Sequence, residues 1–132
     1  MRVLALVAIA VGLFGCSSGV GRPVKEVVIT PGSDGVQHVE VTAHSFYFDP
    51  NRVVVKSGVP VELHVKNSAF FVPHNLSCPA PGAGFMLDEG LGMFGDSETA
   101  KFTPTTPGEY AFFCKIDGHS KKGMTGTIVV VP

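Results

Sequence analysis

The segment "PVELHVKN", residues 60 to 67, sets Val61, Leu63 and Val65 on one side and Glu62, His64 and Lys66 on the other. A period of two is what a strand buried on one face requires, and a helix cannot hide such a pattern. The same alternation runs through "VQHVEVTA" from Val36. It returns in "RVVVKSG", "AFFVPHNLS", "ETAKFTPT", "GEYAFFC" and "TGTIVVVP", with "HSFYFDP" breaking into a turn at Asp49-Pro50-Asn51. Upstream, "KEVVIT" is a candidate edge strand. No stretch carries a convincing helical stripe. Short strands separated by glycine and proline turns predict an all-β fold, a Greek-key β-sandwich of seven or eight strands. Residues 79 to 98, "PAPGAGFMLDEGLGMFGDSE", interrupt the rhythm. Their five glycines and scattered apolar side chains predict a long loop folded over one end, with a helical turn near 86 to 93.

The N-terminal stretch reads differently. Arg2 precedes an apolar run from Val3 to Phe14 and then Gly15-Cys16, the layout of an export signal. That run is too short for the roughly 20 residues of a membrane-spanning helix. The cysteine after "LFG" resembles the lipobox of bacterial lipoproteins, which implies a lipid on Cys16. The expected organisation is a signal over 1–15, a tether over 16–35 rich in Ser, Gly and Pro, and a folded domain over 36–132. Removal of the signal takes only Arg2 from the charged residues and leaves nine bases against eleven acids. A slightly acidic domain does not suit nucleic acid. A chain of this size buries a sizeable core without disulfide staples and is expected to be monomeric.

Within "CKIDGHSKKGM", residues 114 to 124, Cys114, His119 and Met124 stand five residues apart between two strand patterns. A plain loop needs the glycines but not three N and S donors. His74, in "VPHN", supplies a fourth at the end of another strand. Two imidazoles, a thiolate and a thioether form a soft mixed donor set, the composition of a type 1 copper site with a weak axial methionine. Three rival readings stand beside it. Exported cysteines often pair, so Cys78 could bridge Cys114, although an extended chain from His74 would carry Cys78 about 13 Å away. Zinc takes Cys and His but seldom Met. A Cys114–His119 nucleophile would need an oxyanion hole and a substrate cleft. His38, His44 and His64 lie on or beside strands as surface residues, whereas Met86 and Met93 are loop packing or a second, Met-only Cu(I) site.

The combination "HSFYFDP…VKSGVPVELHVKN…VPHN…PGEYAFFCKIDGHSKKGMTGTIVV" resembles the cupredoxin family of small blue copper proteins across residues 36 to 131. The C-x4-H-x4-M spacing is similar to the rusticyanin and auracyanin type. The resemblance implies His74, Cys114 and His119 as equatorial copper ligands and Met124 as the axial one. It also implies that Asn75 holds its loop against the ligand loop. The function implied is one-electron transfer between redox partners such as a cytochrome or a membrane oxidoreductase. The protein would be exported, periplasmic or cell-surface, and anchored at Cys16. Lys115, Lys121 and Lys122 could steer an acidic partner, and apolar neighbours of His119 would form the docking patch. A copper carrier or sensor is the alternative. An enzyme is not expected, because the chain has no H-x-H pair and four protein ligands leave no open position on the metal.

Overall fold

The computed structural model describes residues 22–132; the expected signal, Cys16 and the first part of the tether, up to residue 21, lie outside the described residues. Among the described residues ten strands form two sheets. They are β1 (Glu26–Val28), β2 (Gln37–His44), β3 (Tyr47–Asp49), β4 (Arg52–Lys56) and β5 (Val61–Asn67), then β6 (His74–Ala80), β7 (Phe85–Leu91), β8 (Ser97–Phe102), β9 (Gly108–Phe113) and β10 (Thr125–Val131). The six-stranded sheet runs β1-β4-β10-β9-β6-β7 and the four-stranded sheet β3-β2-β5-β8. Parallel pairing of β2 with β5 and of β4 with β10 requires chain crossovers between the sheets, as a Greek key does. Among the described residues no helix is long and apolar enough to cross a membrane.

The alternation read in the sequence becomes the core. Val39, Val41 and Ala43 of β2 and Val61, Leu63 and Val65 of β5 point inward. They meet Val53 and Val55 of β4, Leu76 of β6, Phe112 of β9 and Ile128 and Val130 of β10. Burying each large aliphatic side chain contributes roughly 1.5–3 kcal/mol before chain entropy is counted. One contact is unusually close. A Cβ on Gly126 would collide with the Phe112 ring and lie 2.7 Å from the Asn51 carbonyl oxygen, so only glycine lets β10 pass there.

The stretch expected as a loop over 79–98 is mostly strand. After a single 3-10 turn at Pro81–Ala83, Gly84 turns the chain with φ +79°. β7 then pairs antiparallel with β6 from Ala80↔Phe85 to His74↔Leu91, where a helical turn was expected. Phe85, Leu87 and Leu91 are buried while Met86 and Asp88 face solvent, a period of two after all. The pattern was masked because the outward Met86 is itself apolar. "KEVVIT" does supply an edge strand, β1, paired parallel with β4.

Parallel register sets β5 and β2 running toward the same end, so Asn67 and His44 finish together. There the loops 68–73, 92–96 and 114–124 gather, with the β2–β3 turn beside them.

Candidate metal centre

His74 opens β6, Cys114 directly follows β9, and Met124 directly precedes β10. β9 and β10 are antiparallel neighbours, so both ends of the intervening loop are fixed side by side. The Cys114 N–H donates to the Met124 carbonyl at 3.1 Å and closes the base of the loop. Above it the chain makes a 3-10 turn at Ser120–Lys122, with Gly118 at φ +78° and Gly123 at φ +99°. Those left-handed positions let the eleven residues from Cys114 to Met124 turn back and offer three donors in one direction.

His74, Cys114 and His119 come together, their ligand atoms all within 4.8 Å of one another. The two Nδ1 atoms lie 3.3 Å apart, and Cys114 Sγ lies 3.5 Å from His119 Nδ1. Metal–N and metal–S bonds of about 2.0 and 2.3 Å in a trigonal plane would space donors about 3.5–4 Å apart. The observed spacing fits one small ion. Cys114 and Met124 are fully buried, and His74 and His119 are 2% and 9% exposed. Burial, reinforced by His119, lowers the His74 pKa to about 4. Burial also lowers that of His119, with Lys122 adding to the effect. Both rings are thus neutral at pH 7, the form in which a nitrogen lone pair can bind a metal. This soft donor set suits copper.

Asn75 holds the site from behind. Its Oδ1 accepts the Lys115 N–H at 3.3 Å, and its Nδ2 donates to Asp88 Oδ1 at 2.7 Å. Lys115 Nζ reaches Asp88 Oδ2 at 2.5 Å and closes the network. Asp88 therefore fixes which way the Asn75 amide points, and with it the peptide that follows Cys114. On the solvent side stands Phe46, in the β2–β3 turn at φ +68°. Its ring meets His119 edge-on at 5.0 Å and His74 at 6.4 Å, and Lys122 Nζ sits over the ring, 4.0 Å from its centroid. Neither Asp88 nor Phe46 carries a signal in the linear sequence; each reaches the centre through strand pairing or a turn.

The remaining candidates go elsewhere. His38 bonds Asp34, His64 bonds Thr99, and His44 bonds Ser68 while stacking on Tyr47 at 4.5 Å. Cys78 and Cys114 are both free, so the bridge between them is not formed. Cys78 is buried in the core of the extended β6, and burial pushes its thiol up to about 12. Met86 and Met93 are exposed, Met86 on β7 and Met93 in the loop that follows it.

A family model described as a cupredoxin-like domain matches residues 5–130. No curated protein matches the chain in sequence. Among solved structures, a dithionite-reduced auracyanin from Roseiflexus castenholzii is 24% identical, with TM-score 0.62 over 72% of this chain and 97% of its own. The metal-binding domain of the Cu(I)-exporting P-type ATPase CopA of Streptococcus pneumoniae D39 is 18% identical, with TM-score 0.64 over 84% and 100%. A multicopper oxidase is 17% identical, with TM-score 0.60 over 85% of this chain but only 46% of its own. Likeness at these identities is likeness of fold.

Proposed function

The chain belongs to the cupredoxin-like family, and on that premise we propose that it carries single electrons through one type 1 copper ion held outside the cytoplasm. One observation carries the reading: two neutral imidazole Nδ1 atoms and a thiol sulfur converge in a buried pocket, on a loop whose base is closed by Cys114 and Met124. Copper bound there would supply a one-electron couple. His74, Cys114 and His119 would hold it, with Met124 as a weaker fourth donor. The protein's part is rigidity. Strands fix both ends of the ligand loop, Asn75 ties its start to β6, and Phe46 restricts water at His119, so the donors have little freedom to rearrange when the charge changes.

Electron exchange would pass through His119, whose edge lies nearest the surface, to a redox protein such as a cytochrome or a membrane oxidoreductase. Of the three loop lysines, Lys115 is engaged by Asp88 and Lys122 lies over Phe46, which leaves Lys121 to steer an acidic partner. The sequence pattern before residue 16 supports export, and Cys16 supports a lipid anchor at a periplasmic or cell surface. Four protein donors, with no further metal-ligating cluster among the described residues, argue against an enzyme.

A copper carrier is the second reading, favoured by the fold it shares with a Cu(I)-exporter domain. Adding Cu(II) to the purified protein tests both. An intense blue band bleached reversibly by ascorbate, with copper retained against a chelator, supports the electron carrier. No blue band overturns the type 1 site, and colourless copper passed readily to an acceptor supports the carrier.

A further inference from the structure

Four large apolar side chains project from the metal end. Phe70 and Phe71, in the loop before His74, are 65% and 85% exposed; Met93 and Phe94, in the loop after β7, are 56% and 53% exposed. Phe70 stacks flat on Phe94 with centroids 4.3 Å apart, which joins the two loops into one surface. The surface is built rather than slack. Fully buried Asn67 donates its amide to the carbonyls of Val72 at 2.8 Å and Gly92 at 2.6 Å, and its Oδ1 accepts the Ala69 N–H. Its backbone bonds Gly95 and Asp96. With both loops fastened to one side chain, the rings cannot fold inward. Exposed apolar clusters of this kind mark a contact with a protein or a membrane.

The route of the N-terminal chain decides between these. β1 runs parallel to β4, and β4 parallel to β10, which leaves the metal end just after Met124. The residues preceding β1 therefore emerge at that same end. Arg22 confirms it: its guanidinium lies 3.3 Å over the Tyr47 ring, Tyr47 stacks on His44, and His44 bonds Ser68, two residues before Phe70. Cys16 lies six residue steps before Arg22, a span of at most about 22 Å whatever path the chain takes. The strand β5 alone separates the opposite end from this one by roughly that length.

We infer that Phe70, Phe71, Met93 and Phe94 form a lipid-docking surface that seats the metal end of the domain on the bilayer carrying its anchor. The inference rests on the lipid at Cys16 proposed above. Aromatic rings lodge at the headgroup boundary, where an apolar body is buried and little backbone need be desolvated. A short tether fastened at the metal end keeps this surface beside the bilayer, and the four side chains supply the contact themselves. The redox partner of a domain held this way is embedded in the same membrane.

The test uses the chain from residue 16 with Cys16→Ser, so that no acyl chain contributes, and Phe71→Trp as a fluorescent reporter. Neutral phosphatidylcholine vesicles should shift the emission to the blue and co-sediment the protein, with little dependence on salt. In the chain bearing Phe70→Ser and Phe94→Ser, vesicle binding should fall at least about tenfold while the copper colour is unchanged. No vesicle binding by the reporter protein overturns the inference and assigns the patch to a protein partner. Binding only to phosphatidylglycerol vesicles, abolished by salt, also overturns it. The vesicle signal does not need copper, so a protein that fails to turn blue overturns the copper reading without deciding this one.

Discussion

Phe46 holds its ring edge-on to that of His119, the centroids 5.0 Å apart and the planes at 87°. It does so from a left-handed backbone, φ +68°, which costs a bulky residue roughly 1–2 kcal/mol. Strain tolerated beside a metal site indicates that the ring is needed where it stands. Phe46→Ala should weaken copper retention roughly tenfold in competition with a chelator, as loss of an outer support does elsewhere. Phe46→Leu should keep most of it. Equal retention in both variants and the parent would show that the ring does not shield His119.

Asp88 offers a second test away from the ligands. Its carboxyl is held below its ordinary pKa of 3.8 by Lys115 and then by Asn75. A carboxylate depressed in the folded state stabilises it above the ordinary value and loses that contribution as pH falls through the lower one. The network should accordingly remain intact at pH 5 and fail only in strong acid. Asp88→Ala frees the Asn75 amide and should change the charge-transfer spectrum already at neutral pH, where Lys115→Gln, which keeps the Asn75 bonds, should not.

Met124 should tune the centre rather than create it. Met124→Leu is expected to keep the thiolate colour and raise the reduction potential, because losing a donor disfavours the more highly charged ion. Cys114→Ser should abolish the colour. Cyclic voltammetry and absorption spectra together separate the two roles.

Charge steering now narrows to one lysine. Lys121→Glu should slow reduction by an acidic partner protein at low ionic strength, and the difference should close as salt shortens the Debye length below about 10 Å. An unchanged rate at low salt would leave Lys121 as a solvated loop residue only.

Gly126→Ala probes the scaffold. Its new methyl group would meet the Phe112 ring and the Asn51 carbonyl, in a position where neither can withdraw without shifting β4 or β9. A loss of about 1–3 kcal/mol is expected from overpacking, read as a lower thermal midpoint.

Most of the sandwich is legible in residues whose outward positions are polar. Glu62, His64 and Lys66 reveal β5, because every exposed step is marked by a side chain that belongs in water. β7 fails that test: Met86 is exposed and apolar, and Gly90 breaks the alternation, so its strand is visible only once β6 is there to pair with it. The donors follow the same division. Cys114, His119 and Met124 are legible because one loop carries them at fixed spacing, and His74 because it stands beside Asn75 in "VPHN", although it opens a strand rather than ending one. Phe46 and Asp88 are not, since an aromatic in a turn and an acid among glycines take their meaning from what the fold sets opposite them.

β10 lies inside its sheet, between β4 and β9, and begins one residue after Met124. A chain synthesised from its N-terminus presents all four donors before the strand that braces them. Until β10 inserts, the ligand loop is a pliant peptide that ranks ions by intrinsic affinity alone, with copper ahead of zinc. Discrimination by shape begins only when the sheet is complete. Completing the sheet thus turns a flexible donor set into a site of fixed geometry.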